Sequence, residues 1–177
     1  MLRHISIDHE FHLSPPAAAD IHSFVQHLND RDIYERTLMI PNPYTLKDAE
    51  WFLRICEMKR NEYQREMQWS VRDNRGQLIG GIGFHGNYPS QKHREEVGYW
   101  LAKPYWNKGI MTKVLNKFCE YGFKDCGYSR IEAPIFASNA GSQRVAEKCG
   151  FKKEGHMVKA YFKDGNFFDG VMFALTR

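Results

Sequence analysis

The segment from Glu95 to Thr112 constrains this chain more than any other stretch, because it joins an apolar strand to a helix through a short turn. The strand is predicted over Val97–Leu101 and the helix over Gly109–Lys124, where apolar side chains recur three and four residues apart. The first amides of a helix have no partner within it and, together with the helix dipole, they attract phosphate oxygens. A glycine at that point lets the backbone approach such a ligand closely. The segment is therefore compatible with a helix start that binds a phosphate-bearing molecule, and also with a turn that has a structural role alone, which is the commoner case.

Strand and helix patterns alternate along the rest of the chain, with turn residues between them. Strands are predicted at 11–13, 69–72, 77–85, 97–101, 129–136, 152–162 and 167–175, and helices at 14–28, 45–58, 109–124 and 139–149. A length of 177 residues fits one domain. The order predicts a single α/β (α+β) domain over residues 1–177, with a mixed, mostly antiparallel central sheet and helices on both faces.

Two helix starts and one irregular stretch complete this prediction. Ser14 is predicted to cap the first helix, and the segment Asn29–Tyr44 is predicted to be irregular. The second helix begins at Thr45, and its inner side is predicted to carry five residues: Ala49, Trp51, Phe52, Ile55 and Met58.

The composition disfavours several classes of function. Lys and Arg are scattered at a net charge of +4, so no nucleic acid is expected as a partner. The four cysteines (Cys56, Cys119, Cys126 and Cys149) form no C-x-x-C pair, so no metal is expected, and buried, inert thiols are favoured over a thiol nucleophile. No apolar run reaches the length of a signal peptide or a membrane span. We therefore expect a cytoplasmic protein with reduced thiols and no membrane partner.

Two motifs, separated by one predicted strand, resemble those of a known family. Val97–Thr112 is similar to the motif G-Y-W-L…W-x-K-G-I-x-T, and Asn139–Phe151 is similar to N-x-x-S-x-x-V-x-E-K-x-G-F. Both are typical of the GNAT acetyltransferases, and most closely of their Rim-type branch, which includes ribosomal-protein N-terminal acetyltransferases. The resemblance spans nearly the whole chain. Neither a Walker lysine–serine pair nor G-x-G-x-x-G is present, which disfavours nucleoside triphosphates and NAD.

The resemblance implies a sheet in which the strand from Val97 splays away from the strand at 129–136, with acetyl-CoA as co-substrate in the split. The pantetheine would follow the backbone of Trp100, Leu101 and Ala102. The pyrophosphate would lie on the amides of Asn107, Lys108, Gly109, Ile110, Met111 and Thr112. Asn139 would bond the pantetheine, Ser142 would lie beside the cofactor, and Lys148 would meet its phosphate-bearing end. The chain departs from many members of the family at Trp106 and Met111.

Acetyl transfer to an amine requires a base for the amine and a proton for the departing thiolate. Glu96, at the start of the splayed strand, is the candidate base. Glu95 faces the opposite way by strand alternation and is the fallback, and an ordered water is a third possibility. His85 is a candidate to assist. Many members of the family carry a tyrosine acid where this chain has Ala146, so Ser142 is the candidate proton donor.

Three functions remain open at this point. The resemblance favours acetylation of the N-terminal α-amine of a protein or peptide. The alternatives are acetylation of a small amine, such as a polyamine, an amino acid or an aminoglycoside, and a module that binds CoA without turnover. Four aromatic residues are candidates to line an acceptor groove, although core packing is the favoured explanation for each of them: Tyr161, Trp51, Tyr34 and Tyr44. Both a monomer and a homodimer are compatible with the sequence.

Overall fold

The computed structural model describes residues 4–86 and 90–177, and within them the chain forms eight strands, five α-helices and two short 3-10 helices. The strands are β1 (Ile5–Ser6), β2 (Phe11–Ser14), β3 (Gln68–Asp73), β4 (Leu78–Phe84), β5 (Arg94–Leu101), β6 (Arg130–Phe136), β7 (Lys152–Lys163) and β8 (Asn166–Thr176). The helices are α1 (Ile21–Leu28), α2 (Arg31–Glu35), α3 (Leu46–Tyr63), α4 (Ile110–Lys124) and α5 (Ala140–Lys148).

The strands are hydrogen-bonded in the order β1-β2-β3-β4-β5-β6-β8-β7. The pairs β1–β2, β2–β3, β3–β4, β6–β8 and β7–β8 are antiparallel, whereas β5–β6 is parallel. This confirms the predicted α/β fold with a mixed, mostly antiparallel sheet. The paired residues of β5 and β6 run from Arg94 opposite Arg130 to Glu96 opposite Glu132. Strand β5 itself continues beyond this paired stretch to Leu101.

The chain divides into two compact units. The first comprises residues up to Glu35, Met39–Phe84 and Tyr99–Lys108, and the second comprises Arg36–Leu38, His85–Gly98 and Gly109–Arg177. The beginning of β5 thus belongs to the second unit and its end to the first.

The core of the first unit forms where α1, α2 and α3 pack with β4 and the end of β5. Its buried members are Phe24, Leu28, Ile33, Tyr44, Ala49 and Leu78, with Trp100 and Trp106 packed against them. Two adjacent glycines of β4 make room for Trp100. A Cβ at Gly80 would lie 2.6 Å from the carbonyl oxygen of Trp100, and a Cβ at Gly81 would lie 2.5 Å from its indole Nε1. The Trp106 indole N–H donates to the carbonyl of Leu101 over 2.6 Å. Trp106 therefore stabilises this unit, which accounts for the departure at that position.

Three predictions for the first unit are wrong. Ser14 does not cap a helix: it ends β2, and its Oγ accepts a 2.6 Å hydrogen bond from Arg72 Nε. The segment predicted to be irregular contains α2, whose Ile33 is buried. The inner side of α3 is rotated from the predicted one, since Trp51 and Met58 are exposed whereas Ala49 and Cys56 are buried. The start of α3 is confirmed, because Thr45 and Asp48 form a capping box.

The core of the second unit forms between α4 and the strands β6 and β8. Val114, Leu115 and Phe118 of α4 are fully buried, as are Ile131 of β6 and Phe173 of β8. These α4 residues recur at the helical period, while β6 is buried along most of its length. The same packing fixes the first turn of α4, because the side chains of Ile110 and Met111 are also buried there.

Candidate functional site

The first turn of α4 presents backbone donors that have no acceptor within the helix. Gly109 is the N-cap residue, in a left-handed conformation with φ 74° and ψ 0°, and no side chain caps the helix. The backbone hydrogen bonds of the helix begin with Lys113 N–H, which donates to the carbonyl of Gly109 over 3.2 Å. The amides of Ile110, Met111 and Thr112 precede this bond and so have no carbonyl one turn back. The predicted helix start is confirmed, and its amides have the arrangement that an anion needs.

The glycine at this turn is required for its backbone conformation. A Cβ at Gly109 would meet no atom within 4 Å, so steric room in the protein does not explain it. Its positive φ is one that side chains other than those of Asn and Asp rarely tolerate. Asn107 also has a positive φ, of 60°. Asn107, Lys108 and Gly109 are all exposed.

The start of α5, in the same unit, differs from that of α4, because a side chain caps it. Asn139 is 7% exposed, and its Oδ1 accepts a 3.1 Å hydrogen bond from the amide of Ser142. Ser142 is partly exposed on the first turn of α5, and Lys148 is exposed on the last turn. Ala146 has no exposed surface, so this position contributes to the core. The protein thus retains Ser142 as the candidate proton donor on α5.

The backbone at the end of β5 is partly engaged within the first unit. The amide of Ala102 donates to the carbonyl of Ile79 over 2.8 Å, and the carbonyl of Leu101 accepts the indole bond described above. Successive residues of a strand point their backbone groups to opposite edges. Trp100 and Ala102 therefore face β4, while Tyr99 and Leu101 face the other edge of the strand.

A carboxylate and an imidazole meet at the beginning of β5, within the second unit. Nδ1 of His85 lies 2.7 Å from Oε1 of Glu96, whose side chain is 18% exposed. An ionised carboxylate only accepts hydrogen bonds, so the proton of this contact belongs to the imidazole Nδ1. The ring lies over Gly98, because a Cβ there would collide with His85 Nε2. The structure thus brings together the candidate base and the candidate helper.

The carboxylate of the neighbouring Glu95 accepts hydrogen bonds from the backbone. It is 3% exposed, and its Oε1 accepts hydrogen bonds from the amides of Gly86 (3.0 Å) and Glu96 (2.9 Å). Its burial agrees with the prediction that it faces away from the Glu96 side chain. These bonds fix the chain that carries His85 against the start of β5.

The charge of Glu96 also acts on Tyr161 of β7, to which the sequence assigned only a lining role. Burial and the charge of Glu96 raise the pKa of its phenol to about 12. Its hydroxyl oxygen is buried and makes no hydrogen bond among the residues that the structure describes. A sequence shows no spacing between Glu96 and Tyr161 that would predict this proximity. The pairing of β6 with β8 and of β8 with β7 creates it.

Two features are absent from residues 4–86 and 90–177. No group of three or more His, Cys, Asp or Glu side chains is arranged to hold a metal ion. None of the helices combines the length and the apolar character needed to cross a bilayer.

Comparison with known proteins gives a consistent result. Residues 10–152 match the acetyltransferase (GNAT) domain family. Among curated relatives in Bacillus subtilis, the uncharacterized N-acetyltransferase YoaA is 35% identical over 116 residues, which cover 64% of each chain. YjcK, named a probable N-acetyltransferase, is 34% identical over 152 residues, which cover 82% of each chain. Several matches are partial: the chain spans 64% of YoaA and about half of other relatives.

A solved structure extends the likeness to the whole fold. RimL, described as a ribosomal L7/L12 α-N-protein acetyltransferase in complex with coenzyme A, superposes with a TM-score of 0.87. The alignment covers 98% of both chains at 16% identity, so it shows that the fold is shared.

Proposed function

We propose that this chain, which belongs to the GNAT family of acetyltransferases, transfers the acetyl group of acetyl-CoA to the N-terminal α-amine of a peptide or protein. The observation that carries the proposal is the Glu96 carboxylate held by His85. It supplies one positioned base within reach of solvent, which is what removal of a proton from an incoming amine requires.

Acetyl-CoA fits the exposed donors of the second unit. The uncapped first turn of α4 offers the amides of Ile110, Met111 and Thr112 to phosphate oxygens. Lys148, which ends α5 in the same unit, is an exposed cation suited to a phosphate-bearing ligand. The RimL complex with coenzyme A supports this choice of co-substrate.

The chemistry is a direct transfer. The lone pair of the neutral amine attacks the carbonyl carbon of the thioester, the new C–N bond forms and the C–S bond breaks. Glu96 accepts the proton that the nitrogen loses, while the imidazole of His85 holds the carboxylate in place. The departing thiolate takes a proton from the hydroxyl of Ser142, which regains one from water, and Glu96 releases its proton to solvent. Positioning of the two reactants adds to the rate, because an oriented pair avoids the entropy cost of an encounter.

The acid–base requirement favours an α-amine as acceptor. An ordinary lysine amine has a pKa near 10.4 and an α-amine one near 7.7–8.0. At about 1.36 kcal/mol per pH unit, making the lysine neutral at pH 7 costs about 4 to 5 kcal/mol, against about 1 for the α-amine. A single half-buried carboxylate with an imidazole suits the easier deprotonation. RimL, an α-N-protein acetyltransferase by its description, supports the same choice.

Two matched peptides test the proposal. One carries a free N-terminal amine and an acetylated lysine, and the other carries an acetylated N-terminus and a free lysine; spermidine is the third acceptor. We expect release of CoA thiol and a 42 Da mass gain, roughly the mass of one acetyl group replacing hydrogen, chiefly with the first peptide. Faster turnover of the second peptide or of spermidine would reassign the acceptor. CoA binding without turnover of any acceptor would favour the non-catalytic module.

A further inference from the structure

A buried carboxylate of β6, that of Glu132, lies beside the candidate base. In the parallel pairing of β5 with β6, Glu132 is the direct partner of Glu96. Neighbouring strands are about 5 Å apart, and opposite partners point to the same face of the sheet. Glu132 is only 2% exposed. Burial of a carboxylate is costly, and its charge opposes ionisation of a carboxyl group beside it, so packing alone does not explain Glu132.

Two guanidinium groups bind this buried carboxylate. Nη2 of Arg94 donates to Glu132 Oε2 over 2.8 Å, and Nε of Arg130 donates to Oε1 over 2.6 Å. Both oxygens of Glu132 therefore accept a charge-assisted hydrogen bond. Arg130 also donates to Glu154 of β7, whose side chain is 42% exposed. The result is a row of alternating charges that runs from β5 across β6 to β7.

This row of charges is in register with the candidate base. Arg94 precedes Glu96 by two residues on β5, so the two side chains leave the same face of the strand. Arg94 is the partner of Arg130, just as Glu96 is the partner of Glu132. One anion and its two cations thus lie on the positions next to Glu96. Loss of either sign of charge there would change how easily Glu96 ionises.

The charged and titratable side chains around Glu96, among the residues that the structure describes, come from four neighbouring elements. They are His85 directly after β4, Arg94 of β5, Arg130 and Glu132 of β6, and Glu154 and Tyr161 of β7. His85 contacts the Glu96 carboxylate directly. Tyr161 is neutral at physiological pH, because burial and the charge of Glu96 raise its pKa to about 12. The two arginines and the two other glutamates balance each other in charge.

We infer that Glu132 is a positioning residue for the reaction: it holds Arg94 and Arg130 beside Glu96, and the charge of this row sets the pH range in which Glu96 can accept the proton of the amine. The inference rests on the proposed function and adds residues that the two family motifs do not contain. Glu132 acts only through Glu96, since its own carboxylate is buried and both of its oxygens are bonded to arginines.

Glutamine variants that remove one charge at a time test the inference. Glu132→Gln deletes the anion and leaves both cations, so Glu96 should titrate at lower pH. Arg94→Gln deletes a cation and leaves the anion, so Glu96 should titrate at higher pH. We expect each midpoint to move by about one pH unit, and the double variant to return towards the wild type. NMR of the carboxyl carbons in isotope-labelled glutamate measures the midpoint without substrate, and the spectrum of Glu96→Gln assigns the signal.

The direction of the shifts separates this role from a structural one. Removal of either partner of a buried ion pair destabilises a protein, so both variants should melt at a lower temperature. A structural role alone gives no opposite shifts in titration. Glu120→Gln on α4 is the matched control, because it removes a glutamate that also pairs with basic side chains. It should leave both the Glu96 midpoint and the melting temperature unchanged.

Kinetics connect the titration to turnover. With the α-amine peptide, the acidic limb of the pH profile of kcat/KM should move in the same direction as the NMR midpoint of each variant. The acceptor amine contributes the same limb to every variant, so a difference between variants belongs to the enzyme.

Opposite shifts in Glu132→Gln and Arg94→Gln, absent from Glu120→Gln, support the inference. Shifts in the same direction, an unmoved midpoint, an equal shift in Glu120→Gln, or a kinetic limb that stays while the midpoint moves would overturn it. If Glu132→Gln does not fold, Arg94→Gln alone decides: a higher midpoint supports the inference, and an unmoved or lower one overturns it. Failure of the wild type to acetylate any acceptor overturns the proposed function alone, because the NMR titration requires no substrate.

Discussion

Nδ1 of His85 lies 2.7 Å from Oε1 of Glu96, and the same imidazole passes over Gly98, two residues further along β5. Residues at i and i+2 of a strand face the same side of the sheet. The same face of β5 therefore carries the candidate base, Glu96, and the glycine, Gly98, that leaves room for the His85 ring. Glu95, on the opposite face, anchors Gly86, the residue that follows His85. The position of the candidate base thus depends on three residues of β5: Glu95, Glu96 and Gly98.

The adjacent carboxylates give the first prediction. Glu96→Gln removes the proton acceptor and should lower kcat by about 10²-fold or more, the usual contribution of a general base. Glu95→Gln retains the oxygen that accepts the two amide bonds, so kcat and the melting temperature should change little. Steady-state kinetics with the α-amine peptide and a thermal melt test both variants. If Glu95→Gln were the variant that loses turnover, the base would have to be reassigned to Glu95.

The glycine under the imidazole gives the second prediction. The methyl group of Gly98→Ala would collide with the His85 ring and displace it from Glu96. We expect a fall in kcat of about tenfold, equivalent to about 1.4 kcal/mol in the activation free energy. The KM for acetyl-CoA should stay the same. Gly155→Ala on β7 is the control, because a Cβ there meets no atom within 4 Å. Equal losses in both variants would exclude a specific effect on His85.

Local patterns in the sequence were sufficient to predict most elements of the fold. Thr45 with Asp48, Gly109 before α4 and Asn139 before α5 each begin a helix at the predicted place, because capping depends on neighbouring residues. The inner side of α3 was predicted wrongly. Its apolar residues do not form one clean stripe, so the tertiary packing selects Ala49 and Cys56.

The candidate site was predictable only in part, for a related reason. Glu96 and His85 were identified because Glu96 lies at the start of one predicted strand and His85 at the end of the strand before it. A loop between two consecutive strands brings these two strand ends close together. Tyr161 required knowledge of the strand order, since it lies on β7, whose partner β8 separates it from β6. The bulge in β7 beside Tyr161 has no glycine to mark it, and Lys159 takes the left-handed conformation instead. Long-range pairing of this kind leaves no short-range signal.

The turn before α4 gives the third prediction. Asn tolerates a positive φ and Val does not. Gly109→Val should therefore destabilise the protein by about 1–3 kcal/mol, whereas the stability of Gly109→Asn should stay close to that of the wild type. Both side chains would project near the amides of the first turn, so both should weaken CoA binding at least tenfold. Urea unfolding measures the stability and calorimetry the affinity. An unchanged CoA affinity in folded Gly109→Asn would remove this turn from the phosphate site.

The cysteines give the fourth prediction. Burial raises the pKa of Cys56 to about 12 and that of Cys149 to about 11, and it also raises the pKa of Cys119. The thiolate is the reactive form, so these three thiols should resist iodoacetamide at pH 8, and Cys126, which is partly exposed, should react first. Peptide mass mapping over time measures the order. Activity should survive labelling of Cys126. Trapping of an acetyl group on any cysteine would revive the acyl-enzyme route.

The first turn of α5 gives the last prediction, because two neighbouring side chains there differ in role. The cap bond joins the backbone amide of Ser142 to Asn139 Oδ1, so Ser142→Ala leaves the cap intact. We expect this variant to keep its stability and CoA affinity while kcat falls at least tenfold, since the thiolate loses its proton donor. Asn139→Ala removes the cap and should cost about 0.5–2 kcal/mol of stability. Thermal melts, CoA calorimetry and single-turnover kinetics on both variants separate the two effects. A full single-turnover rate in Ser142→Ala would show that the thiolate leaves without a proton from this hydroxyl, and that orientation of the reactants accounts for the rate.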